Sequence, residues 1–190
     1  LAESRIREVY LVGRRGPVQA KFTYQELKEL TKLSACALET SAEELILNPA
    51  SEAELAKNDG TTRGRVRNYE TLKTFAIESP STKPRRCTLR FLLSPIKLKG
   101  DQRLQQVIFE RNRLTGSAGQ QTALGTGEYE TIACGLLLSS IGYHGTPMAG
   151  VPFDSAQGII PNQQGRVLDH DNPVPGLYAV GWVKRGPTGL

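Results

Sequence analysis

The segment Arg7-Glu-Val-Tyr-Leu-Val12 is a short apolar run closed by Gly13, the pattern of a buried strand followed by a tight turn. Thr23-Tyr-Gln-Glu26 then has the form of a capping box, with Leu27, Leu30 and Leu33 behind it at near-helical spacing, so a helix is predicted to begin there. Strand, glycine turn and helix make half of a βαβ unit. Between 35 and 60 the chain reads as a short strand (Cys36 to Leu38), a small helix (Ser41 to Leu47) and a surface loop containing Asn48-Pro49 and Asn58-Asp-Gly60. Val66, Tyr69, Leu72 and Ala76 recur at three- and four-residue intervals, which predicts a second helix from Thr62 to Ile77, closed by Ser79-Pro80. Arg63 and Arg67 share its opposite side.

From Cys87 onward the period becomes that of strands. Leu89 to Leu93, then Gln105 to Arg111 with Val107 and Phe109 alternating, then Thr131 to Ile141 as a buried strand are predicted, with Thr115 to Gly127 as a hairpin turn or loop. No internal repeat is apparent. After Gly142 the texture turns to Gly and Pro punctuation, as in Gly158-Ile-Ile-Pro161 and Pro175-Gly-Leu-Tyr-Ala-Val180, which predicts short strands joined by turns. Two domains follow from this shift, 1–142 and 143–190, within an α/β fold.

Composition narrows the function classes. A chain of 190 residues, 38% apolar and with a net charge of +5, is long enough for a genuine core and too balanced to be disordered. No uncharged apolar stretch approaches the roughly 18 residues a membrane-crossing helix needs. Leu1 opens the chain without an apolar leader, so it is expected to begin inside a longer gene. Cys36, Cys87 and Cys134 stand far apart and are odd in number, which argues against a disulfide or zinc framework. His144 and His170 lack companions at ligand spacing. The positive charge is concentrated: residues 61–113 hold 13 basic and 4 acidic side chains. Such a surplus attracts an acidic protein, a nucleotide or a nucleic acid, or else forms a solvated face.

Two segments carry chemistry. In a dinucleotide fold the relevant strand end bears an acid for the ribose of NAD, or arginine for the 2′-phosphate of NADP. Here that place holds Arg14 and Arg15 and no acid. Guanidinium groups suit a phosphate dianion, although Gly-Arg-Arg after a strand also serves as a solvated basic turn. The second segment is Gly181-Trp-Val-Lys-Arg-Gly-Pro-Thr-Gly189, where glycines let the backbone approach a flat ligand and the chain's one tryptophan sits, either at that ligand or in a packing role.

Together these segments resemble the NADPH–ferredoxin (adrenodoxin-type) reductases. The resemblance is carried by Val12-Gly-Arg-Arg-Gly-Pro-Val-Gln-Ala-Lys-Phe-Thr-Tyr-Gln-Glu-Leu27, Arg90-Phe-Leu-Leu-Ser-Pro95, Ser139-Ser-Ile-Gly-Tyr143, Val151-Pro-Phe-Asp154, Ile160-Pro-Asn162 and Gly181 to Gly189. It implies a three-layer, Rossmann-like FAD/NAD(P)-binding fold with a mixed sheet, plus a β-rich part of a second domain. Residues 1–142 are then an NADP-binding domain incomplete at its start, and 143–190 the chain's return into the FAD domain. It further implies that Arg14 and Arg15 hold the 2′-phosphate, that Glu26 contacts the same nucleotide, and that Trp182 packs at the flavin and nicotinamide. Gly189 and Leu190 match the backbone segment that holds the flavin ring. Basic residues of the second helix, Arg63, Arg65 and Arg67, with Lys28, correspond to the surface that receives an acidic iron–sulfur ferredoxin.

In such enzymes hydride passes from nicotinamide to flavin, so no catalytic acid or base is assigned. No G-x-G-x-x-G occurs in the chain, and the pyrophosphate-binding turns are expected upstream of Leu1, so the segment alone is expected to be inactive. The expected location is the bacterial cytoplasm, or the mitochondrial matrix. Competing readings are another two-dinucleotide flavoprotein, such as a relative of the glutamate-synthase small subunit, and a basic nucleic-acid-binding module. The sparse aromatics of the basic stretch and the lack of an RNA-binding motif disfavour the last.

Overall fold

The computed structural model describes residues 4–77, 82–142 and 144–186. Strand β1 (Glu8–Val12) leads through one turn of 3₁₀ helix at Pro17–Gln19 into helix α1 (Tyr24–Thr31), then strand β2 (Cys36–Thr40). A further 3₁₀ turn (Glu43–Leu45), helix α2 (Pro49–Ala56) and helix α3 (Arg63–Ile77) return the chain to strand β3 (Arg85–Arg90). β3 is central, paired in parallel with β1 on one side and β2 on the other, with Leu11 opposite Leu89 and Leu38 opposite Cys87. Leu27 of α1 and Leu72 and Phe75 of α3 close over this sheet with Leu38, Leu45, Cys87, Leu89 and Phe91. Within that core burial, with a smaller contribution from Cys36, pushes the Cys87 thiol up to about 11.

β1 departs from the expectation of a buried strand: Leu11 is 45% exposed. Among the described residues it is an edge strand, paired with β3 alone. Helix α2 also departs from expectation, since Asn48-Pro49 reads as a loop. Asn48 is in fact an N-cap whose side chain accepts from Ser51 N–H, and Pro49 occupies the first helical turn, where its missing N–H costs nothing. The small helix predicted over Ser41 to Leu47 shrinks to the 3₁₀ turn. The predicted closure at Ser79-Pro80 lies outside the described residues.

A second sheet is antiparallel: β4 (Leu93–Lys99), β5 (Gln106–Thr115) and β6 (Thr122–Ala133), around Leu93, Val107 and Phe109. The run Leu89 to Leu93 is thus split between two strands by Leu92, whose φ of 59° lies in the left-handed region. β6 starts at Thr122, inside the segment read as loop, runs through Gly125 and Gly127 and stops at Ala133, so the apolar run beyond it is not a buried strand. Cys134 still packs against the core of this sheet, but Leu136 and Leu138 are exposed and Ile141 is 95% exposed.

The described chain divides into two compact units, 1–136 and 137–190. The second contains β7 (Asn162–Gln163), β8 (Arg166–Asp169) and β9 (Asn172–Tyr178), then a short helix α4 (Trp182–Arg185), around Ile160, Val167 and Ala179. No helix among the described residues is long and apolar enough to cross a membrane.

Candidate functional site

Ligands of open parallel sheets sit beyond the carboxyl ends of the strands. At that end of β1 the turn 13–16 is fixed by its backbone. Gly13 N–H donates to the Arg90 carbonyl at 2.9 Å and Leu93 N–H donates to the Gly13 carbonyl at 3.2 Å. The Asn112 side-chain amide donates to the Arg14 carbonyl at 2.9 Å, and Leu92 N–H donates to the Arg15 carbonyl at 3.1 Å. The Arg15 guanidinium is half-buried and donates to the Gln19 carbonyl at 3.4 Å. Arg14 is exposed, and its guanidinium has no partner among the described residues. An unpaired cation on an immobilised turn is a ready anion site.

Gln19 itself is buried and donates from Nε2 to Ser51 Oγ at 3.2 Å, while Gln121 donates from Nε2 to Asn48 Oδ1 and Ser51 Oγ at 3.2 Å each. The loop joining β5 to β6 is therefore clasped to α2 and to the 3₁₀ turn that follows the arginines. Neither Asn112 nor this cluster is singled out by the sequence, because each acts through partners that lie far away along the chain.

Glu26 completes the predicted capping box: Thr23 N–H donates to its carboxylate at 2.6 Å and Thr23 Oγ1 at 2.9 Å, while Glu26 N–H donates to Thr23 Oγ1 at 3.2 Å. The Thr23 backbone N–H, then its hydroxyl, holds the Glu26 carboxyl below the ordinary carboxylate range. The Arg67 guanidinium lies over the Tyr24 ring, 5.8 Å from its centre, a cation–π contact joining α3 to the start of α1. Lys28 follows Tyr24 by one helical turn and Arg63 precedes Arg67 by one, and both are exposed. Arg65 does not share that freedom. It pairs with Glu54 of α2, whose side chain is 2% exposed and also accepts Gly119 N–H at 3.1 Å.

In the second unit, Trp182 is 48% exposed at the start of α4, between Gly181 (φ 65°) and Gly186 (φ 75°). Asn162 anchors this helix by donating from Nδ2 to the Ile160 and Lys184 carbonyls at 2.8 Å each. Gly189 and Leu190 lie outside the described residues. No group of three His, Cys, Asp or Glu side chains among the described residues is placed to hold a metal ion.

NADPH-ferredoxin reductase FprA of Mycobacterium tuberculosis is 39% identical over 188 residues, covering 97% of this chain. Human mitochondrial NADPH:adrenodoxin oxidoreductase is 41% identical over 203 residues, covering 100% of it. The chain is homologous to part of the NADPH-ferredoxin and NADPH:adrenodoxin reductases. It spans about two fifths of their length, 39% in each case. Among solved structures, M. tuberculosis FprA in complex with NADPH superposes with a TM-score of 0.85 at 39% identity, over 97% of this chain and 39% of that one. The fold is thus the FAD/NAD(P)-binding type that the resemblance implies. No protein-family model matches the chain.

Proposed function

We propose that the chain is the NADPH-binding portion, with the return into the FAD-binding portion, of a ferredoxin–NADP⁺ reductase. The whole protein transfers two electrons from NADPH, through FAD, to two molecules of a small acidic iron–sulfur ferredoxin, releasing NADP⁺ and a proton. The observation that carries this reading is the unpartnered Arg14 guanidinium on a turn held at three successive carbonyls, in a chain homologous to NADPH-dependent reductases.

In this reading residues 1–142 bind NADPH and 143–190 contribute to the FAD site. Arg14 and Arg15 bind the 2′-phosphate. Glu26 contacts the same nucleotide through the carboxylate oxygen that its capping box leaves unused. Trp182 would pack at the flavin and nicotinamide, and the open backbone at Gly181 and Gly186 suits the close approach of a flat group. Gly189 and Leu190, outside the described residues, are assigned to the flavin by the resemblance alone. Bound FAD supplies the conversion of a two-electron donor into single-electron transfers. The chain's own residues then bind and orient, with no nucleophile required. Lys28, Arg63 and Arg67 present the positive face that receives the ferredoxin, and their presence separates this reading from a glutamate-synthase-type flavoprotein. The bacterial and mitochondrial relatives support a cytoplasmic or matrix location.

The test uses the full-length protein with Arg14→Ala and Arg15→Ala combined. Each hydrogen bond between charged groups contributes about 1.5–3 kcal/mol, so the KM for NADPH rises at least about tenfold while that for NADH stays nearly unchanged. Equal losses for both nucleotides would refute the assignment.

A further inference from the structure

We infer that Asn112 is a positioning residue for 2′-phosphate recognition, its buried amide fixing the Arg14 carbonyl and thereby aiming the Arg14 guanidinium. The inference rests on the assignment of Arg14 and Arg15 to the 2′-phosphate proposed above. Asn112 belongs to the antiparallel sheet, not to the parallel sheet that bears the arginines, and is 8% exposed. Its Nδ2 donates both to the Arg14 carbonyl at 2.9 Å and to Ser94 Oγ at 2.8 Å, so the two amide hydrogens have two acceptors and the side chain has one orientation.

The same residue acts a second time through its backbone. Asn112 N–H donates to the Leu92 carbonyl at 2.7 Å, and Leu92 N–H donates to the Arg15 carbonyl at 3.1 Å. Leu92 adopts the left-handed conformation that residues bearing a Cβ avoid, and such a conformation persists where the surroundings over-determine it. Adjacent carbonyls of the arginine turn are therefore both referred to Asn112, one directly and one through Leu92. The pairing of β5 with β6 shifts register between Glu110 and Asn112, leaving Arg111 without a paired residue on β6, and Asn112, opposite Gly125, is the first residue paired beyond the irregularity.

A guanidinium on a long side chain recognises a phosphate in a restricted orientation, and fixing its backbone beforehand lowers the ordering cost of binding. Removing the Asn112 amide frees the Arg14 carbonyl and lets the turn relax. The loss falls on the phosphate contact, and the remainder of the nucleotide is held elsewhere.

The experiment measures two quantities in the full-length protein: the Kd for adenosine 2′,5′-bisphosphate by calorimetry, and kcat/KM for NADH with ferricyanide as acceptor. Asn112→Ala should raise the Kd about tenfold, as expected for one hydrogen bond to the turn, with kcat/KM for NADH changed by less than about twofold. Ser94→Ala, which keeps the bond to Arg14 but releases the amide's second anchor, should raise the Kd about threefold. If Asn112→Ala does not fold, Ser94→Ala decides the question. An unchanged Kd, or a parallel loss for NADH, overturns the inference. The Arg14→Ala, Arg15→Ala protein serves as reference. If it retains adenosine 2′,5′-bisphosphate, the nucleotide assignment itself is wrong; if it loses that ligand while the Asn112 and Ser94 variants bind normally, the positioning role alone is wrong.

Discussion

Arg65 reaches from α3 to the carboxylate of Glu54 on α2, an ion pair in which the arginine side chain is 37% exposed and the glutamate 2%. A carboxylate so buried needs its counter-charge, and this explains why Arg65 is committed to the fold although it sits between two arginines that face solvent. Breaking a buried pair from one side costs about 3–5 kcal/mol, and partial exposure of Arg65 places this case at or below the lower end. Arg65→Ala is therefore expected to lower the thermal midpoint by several degrees, while Arg63→Ala and Arg67→Ala leave it within about a degree or two. Differential scanning calorimetry of the three variants checks the contrast.

Electrostatic docking gives a separate prediction for the face bearing Lys28, Arg63 and Arg67. In the full-length protein, Arg63→Glu with Arg67→Glu should slow ferredoxin-dependent cytochrome reduction by at least about tenfold at low salt and spare NADPH-driven ferricyanide reduction. The difference should narrow as added salt shortens the screening length to about 10 Å at 0.1 M. Equal falls in both activities would assign these arginines to the fold or to the nucleotide.

Asp59 predicts a pH effect. The Thr61 hydroxyl, then the Thr61 N–H, with further bonds from Thr62, holds its carboxyl at about 2, below the ordinary 3.8. A carboxyl group with a lowered folded-state pKa stabilises fully above its unfolded value, and that contribution is lost as pH falls through the folded one. Acid titration followed by circular dichroism should therefore show stability declining between about pH 4 and pH 2. In Asp59→Asn that part of the decline is absent, at the expense of a weaker turn ahead of α3.

The features legible in the sequence were those governed by near neighbours. The Thr23–Glu26 capping box, the periodic face of α3 and the glycine turn after β1 depend on residues a few positions apart, and all three stand as read. Asn48-Pro49 misled because the same dipeptide suits a turn and a helix start, and only the packing of Ser51 and Glu54 decides for the helix. Leu92 is a residue type with no preference for left-handed backbone, so nothing local announces the break between β3 and β4. The exposed residues of β1 and of Leu136 to Ile141 have the composition of buried strands, and composition does not say whether another element packs over their faces. At the candidate site the arginines are visible by type and place, whereas Asn112 gains its role from a register two sheets must agree on.

That agreement spans 98 residues of chain between Arg14 and Asn112. On a ribosome adding roughly 5–20 residues each second, the arginines emerge several seconds or more before β5 exists to hold them. Contacts of such sequence separation form late, after the entropy of closing a long loop has been overcome. The nascent parallel sheet is therefore expected to assemble first, with a loose arginine turn, and competence for the phosphate to arrive as a discrete later step of folding.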